Sequence, residues 1–153
     1  MKFRLFSNIF MKKRGDYSWL FSMANRYKDD VDLPMNIWLD EAEEYKEGGH
    51  SKRIKFQMNH VNRIQKENLA SMTLDGKVVK ETYKEKKSEL DSKDIKEVSN
   101  FVKNNSYALD KLADQMIRCA DFDKIMIKGG KEASESEIAR LKEDTDKYIK
   151  IRN

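Results

Sequence analysis

One cysteine, one proline and two histidines are all that this 153-residue chain contains of three residue types that build disulfides, fix turns and furnish many metal and acid/base sites. With Cys119 alone, no intramolecular disulfide can form and nothing requires an oxidising compartment, so a cytoplasmic location is expected. His50, His60 and one thiol cannot make a Cys/His zinc pattern, and no metal or cofactor is expected. Glycine is also scarce. Neither Gly48-Gly49 nor Gly129-Gly130 has the spacing of a Walker or dinucleotide loop. Long apolar runs are missing too: none approaches the roughly 20 residues of a membrane span. The basic segment Met1 to Phe10 is interrupted by Lys2, Arg4, Ser7 and Asn8 and has no small-residue cleavage site, so it does not read as a signal peptide.

What is present is 39% hydrophobic and 38% charged residues, too apolar and too poor in proline for a disordered chain. A single folded domain with a heavily solvated exterior follows. The net charge of +4 is unevenly spread: residues 1–28 hold seven cations against Asp16 alone, a net +6, which leaves the remainder at −2. Basicity therefore belongs to the N-terminal segment and the body is nearly balanced.

Residues 1–30 read as a basic, aromatic arm, with residues 31–153 as the α+β domain. In the arm Phe3, Phe6 and Phe10 share one helical face, suited to docking on the body, a partner or an anionic membrane surface. After Pro34 the period becomes two, with Met35, Ile37 and Leu39 opposed to Asn36, Trp38 and Asp40. A second strand alternates Ile54, Phe56 and Met58 with Arg53, Lys55 and Gln57 and should pair antiparallel with the first. A third carries Ala70, Met72 and Leu74, before Asp75-Gly76 supplies the positive φ values of a tight turn into Val78 and Val79. The expectation is a three- or four-stranded antiparallel sheet.

Beyond the lysine-rich loop Lys80 to Ser88 the period is helical. Asp91 can cap, Leu90 and Ile95 can staple, and the stripe Ile95, Val98, Val102, Asn105, Leu109, Leu112, Met116 predicts one long amphipathic helix over about Ser92 to Arg118. Asn104-Asn105-Ser106 offers the alternative of a break. The stripe suits a lid on the sheet; as a coiled-coil seam it would make a homodimer, with Asn105 fixing register between chains. Cys119 to Lys128 is a short helix or strand, and a last helix starts at a Ser134/Glu137 capping box.

Candidate contact residues fall into two groups. Lys12, Lys13, Arg14 and Trp19 belong to the arm. Lys52, Arg53, Lys55 and Arg63 cluster around the second strand, with His50 before it and Trp38 on the neighbouring strand. If Trp38 shares an open outer face with Arg53, Lys55 and Gln57, that face offers cations, amides and a stacking ring, which suits RNA or single-stranded DNA. The same cations also suit the solvent side of a half-buried sheet. A His-dependent nuclease would need His50 with Arg53 or Glu41 on a phosphate, a generic set. Glu41, Glu43 and Glu44 before a glycine turn read as a solvated acidic run, and Cys119 as a structural thiol.

The order strand, histidine-bearing hairpin, strand, Leu74-Asp75-Gly76 turn and acid-capped helix Leu90 to Leu112 resembles a small uncharacterised bacterial domain found beside toxin–antitoxin genes, over about Met35 to Asp114. The His-Pro-Pro-His-Phe-His hallmark of that family is absent, so no histidine role carries over. With no catalytic constellation, charge of both signs and a cationic, aromatic arm, the expectation is a small non-enzymatic regulator. It would be antitoxin-like or a phage-type inhibitor that occupies a protein or protein–nucleic acid surface, with nucleic-acid binding as the alternative.

Overall fold

Alternating apolar residues become strands where three or more can share a buried face, and the chain's computed structural model, which describes residues 23–40 and 52–153, contains such a sheet. Ile37–Asp40 (β2), Arg53–Gln57 (β3) and Leu69–Thr73 (β4) are joined by Met23–Arg26 (β1) in the order β1-β2-β3-β4, each neighbour antiparallel. Register puts Ile37 opposite Phe56 and Phe56 opposite Ala70, with Leu39, Ile54 and Met72 aligned alongside on the same face. All six are buried, each large one stabilising the fold by about 1.5–3 kcal/mol.

β1 lies within the segment read as an arm. Met-Ala-Asn-Arg has no apolar alternation to betray a strand, yet it pairs with β2 along its length, Asn25 opposite Trp38. A one-turn helix, Lys28–Val31 (α1), connects the two and buries Val31 in the core. The Asp75-Gly76 turn also differs in detail. Only Gly76 has positive φ, at 83°. The loop therefore has three residues, Leu74 to Gly76, closed by Gly76 N–H to Thr73 O and Thr73 N–H to Lys77 O, both 2.9 Å. Beyond it Val78 meets Met72 in a single bridge.

Helices cover the apolar face. Ser92–Asn104 (α2) starts at a reciprocal box in which Asp94 N–H donates to Asp91 Oδ1 at 2.8 Å and Asp91 N–H to Asp94 Oδ2 at 3.1 Å. The expected single helix is in fact two, α2 and Ser106–Ala113 (α3), interrupted at Asn105. α3 then stops short of Arg118, in a Schellman motif: Met116 N–H reaches Lys111 O and Gln115 N–H reaches Leu112 O, both 2.9 Å, with Gln115 at φ 61°. No glycine announces that stop. Val98, Phe101 and Val102 of α2 and Leu109 and Leu112 of α3 join the sheet residues in one core cluster. Four apolar positions of the stripe, Val98, Val102, Leu109 and Leu112, are thus buried in the chain's own core, while Met116 at its end is exposed.

Cys119–Ile125 (α4) is helical, and Glu135–Arg152 (α5) begins at the Ser134/Glu137 box. Its last turn is pinned to α4 by a two-pronged contact, Arg152 Nε and Nη2 to the buried Asp121 carboxylate at 3.0 and 2.8 Å. Three asparagines then hold the segment between α4 and α5. Asn105 Oδ1 accepts Ile127 N–H at 2.7 Å while its Nδ2 donates to Ile127 O at 2.9 Å; Asn104 likewise takes Ala133 N–H and gives to Lys131 O, and Asn100 gives to Gly130 O. Gly130 permits this approach, because a Cβ there would lie 2.4 Å from the Glu97 Cβ. Among the described residues no helix is long and apolar enough to cross a membrane.

Candidate partner interface

The register brings Trp38 and Lys55 together as a cross-strand pair, with Ser71 next in the row, and Arg53 and Gln57 project to that same face by alternation. The shared face is therefore real, but it is not an open platform. Trp38 is only 3% exposed and Gln57 is fully buried, so neither ring nor amide is available for stacking or base contacts. Arg53 and Lys55 are half-buried. Lys52 points elsewhere, to Asp110 and Asp114 of α3 and its C-cap, at 2.7 Å each. Burial works against the Lys52 charge, yet the hydrogen bonds to those two carboxylates outweigh it and hold its pKa above the ordinary lysine value. It is a strut between β3 and α3. Lys12, Lys13, Arg14, Trp19, His50 and the acids Glu41, Glu43 and Glu44 lie outside the described residues.

Arg63 sits apart from these cations, on the loop between Gln57 and the 3-10 turn Lys66–Asn68, and among the described residues this loop is supported by many side-chain hydrogen bonds. A loop displays its own backbone N–H and C=O groups and usually leaves them to water. Here buried amides take them instead. Gln57 Nε2 donates to Asn59 Oδ1, Val61 O and Arg63 O at 2.8, 2.9 and 3.1 Å, and its Oε1 accepts Gln65 N–H at 3.0 Å. Asn59 takes Val61 N–H and gives to Gln65 Oε1. Asn36, fully buried on the entry to β2, donates to Asn62 O at 2.8 Å and accepts Lys28 N–H at 2.8 Å. His60 Nε2 lies 2.8 Å from Asp94 Oδ2, which ties the loop to the first turn of α2.

The outer side of this brace is exposed. Val61 is 39% exposed and Tyr27, next to the Lys28 amide that Asn36 holds, is 42% exposed; Asn62 and Arg63 are exposed as well. One end of the sheet thus presents an aromatic ring, an aliphatic side chain, an amide and a guanidinium on a backbone fixed by carboxamides that never meet solvent. Tyr27, Val61 and the network behind them escaped the reading of the sequence. The available signal was the run Gln57, Asn59, Asn62, Gln65, of which Gln57 alone entered the sequence argument, as an amide of the outer face.

Among the described residues, groups suited to reaction chemistry do not gather in the same way. Asp94 is occupied by the helix cap as well as by His60, and Cys119 is a half-buried thiol at the start of α4. Among the described residues no three His, Cys, Asp or Glu side chains stand close enough to share a metal ion. The fold and this surface define a small α+β protein with one rigidly supported display loop. Comparison of the chain with family models, with curated proteins and with solved structures returns no match.

Proposed function

We propose that the protein is a small regulatory binding protein, of the antitoxin or inhibitor kind, that occupies a protein or protein–nucleic acid surface through the loop Asn59 to Arg63 and the adjacent Tyr27. The observation that carries this reading is the buried carboxamide network of Asn36, Gln57 and Asn59. Burying three polar side chains is costly unless each is satisfied, and their hydrogen bonds go mainly to one short surface loop. A loop fixed before binding loses little conformational entropy on contact, at about 0.5–1.5 kcal/mol saved per side chain already ordered. Tyrosine and arginine beside an exposed aliphatic residue are the residue types that anchor protein interfaces.

The test is capture of partners from lysate of the source cells by the full chain and by a Val61→Asp/Arg63→Glu variant. Both altered side chains are exposed, so the variant keeps its fold, checked by its melting temperature. Loss of the captured protein in the variant supports the proposal; equal capture refutes it. Material that is released by nuclease and by moderate salt would instead favour the nucleic-acid alternative. Turnover of a substrate, abolished by one substitution, would overturn the binding role altogether.

A further inference from the structure

A cleft of about 350 Å³ lies between the segment 124–128 and one stripe of α5, on a different part of the molecule from the display loop. Its α5 wall is Glu137, Arg140, Leu141 and Asp144, positions spaced three, four and seven along the helix and so on a single face. The opposite wall carries Lys124 and Lys128, with Ile125 and Ile127 between them.

Two properties separate this cleft from an ordinary groove between packed helices. The first is rigidity: Ile127 has both backbone groups bound by Asn105, and the next residues are held by Asn100 and Asn104, so the wall cannot collapse onto α5. The second is its charge. Lys124, Lys128 and Arg140 are exposed and make no ion pair or side-chain hydrogen bond with the described residues. Two acids stand beside them: Glu137, which accepts Ser134 N–H at 2.9 Å and is attracted to Arg140, and Asp144. Three exposed cations thus stand with two carboxylates around the cleft, +3 − 2 = +1 in formal charge, with the buried Leu141 beneath them.

We propose that this cleft binds a small phosphate monoester, its phosphate held by Arg140, Lys124 and Lys128 and its apolar body resting on Ile125 and Ile127. The volume fits a small ligand, a guanidinium can meet two phosphate oxygens at once, and the lysines add point charges on either side. Asp144 repels a second acidic group and favours a ligand with a single anionic end.

The experiment is amide-resolved NMR titration of the full chain with phenyl phosphate and, separately, with inorganic phosphate, at ionic strength held constant with sodium chloride. The expected result is saturable shifts in the amides of 124–128 and 137–144 with both ligands, tighter for phenyl phosphate, and weakened about tenfold by Arg140→Gln through loss of a charge-assisted contact. Lys128→Gln, equally exposed, should weaken binding in the same direction. Absence of saturable shifts with phenyl phosphate, or shifts that are unchanged in both variants, would overturn the proposal.

Discussion

Replacing Asn105 by alanine isolates the contribution of one buried carboxamide. Its side chain is fully buried and makes three hydrogen bonds: to Phe101 O at 2.9 Å and to the N–H and O of Ile127 at 2.7 and 2.9 Å. Phe101 O also accepts the Asn105 backbone N–H, so it keeps a partner after truncation. The two Ile127 groups lose theirs. An unsatisfied buried backbone group costs about 1–3 kcal/mol, and Ile127 is only half-buried, which favours the lower end of that range for each. Alanine is the better helix former by about 0.5 kcal/mol at a position between two helices, an offset of opposite sign. The net expectation is a destabilisation of about 2 kcal/mol, or a melting temperature lower by about 4–8 °C for a domain of this size. Urea unfolding followed by circular dichroism gives the free energy, and hydrogen exchange at the Ile127 amide gives the location. Asn105→Asp adds a sign test. It keeps the acceptor for Ile127 N–H but sets a carboxylate against two carbonyl oxygens, and burial raises its folded pKa above the unfolded value of about 3.9. Its penalty should be complete above the folded pKa and should fade as pH falls toward the unfolded one. A loss under about 0.5 kcal/mol in Asn105→Ala, with unchanged exchange at Ile127, would refute the clamp.

Gln57→Leu fills the same space without the amide, and exchange of the amides of 59–65 should accelerate by at least tenfold, since four loop contacts, at Asn59 Oδ1, Val61 O, Arg63 O and Gln65 N–H, lose their partner; unaltered exchange would count against the brace. Gln115→Gly should stabilise the chain by about 1 kcal/mol in thermal unfolding, because φ 61° strains any residue with a Cβ; a destabilised variant would contradict this. Hydrogen bonds from Arg152, acting against burial, hold the Asp121 carboxyl below the usual carboxylate range. Its folded pKa is depressed, so its contribution is present above the unfolded value and disappears as pH falls through the folded one. Asp121→Asn should therefore flatten the acid limb of the stability-against-pH curve, and an unchanged limb would assign acid sensitivity to other groups.

The sheet was legible because its inner residues repeat in twos. Ile37 and Leu39, Ile54 and Phe56, and Ala70 and Met72 stand out against polar neighbours, and the caps at Asp91 and Ser134 mark helix starts by side-chain chemistry that is local. β1 left no such trace, since an edge strand is defined by the backbone it pairs with. The helical stripe runs through Asn105 with its spacing intact, so Asn104-Asn105-Ser106 offers a break only as an alternative, and Ile127, arriving from elsewhere in the chain to take up the amide, decides it. The same reason hid the display loop. Polar residues in a strand pattern signal solvent by default, and Gln57 and Asn36 are polar residues whose solvent has been replaced by loop backbone. Trp38 follows the converse rule: alternation assigns it a face and says nothing about how open that face is.

Carboxamides neither gain nor lose a proton in water and carry no net charge for salt to screen. The part of the loop fastened by Asn36, Gln57 and Asn59, as distinct from its His60–Asp94 tie, keeps its outline when acidity or ionic strength changes. Had the same contacts been made by aspartate and lysine, the exposed tip would shift its shape with its surroundings, and recognition would drift with every change in the medium.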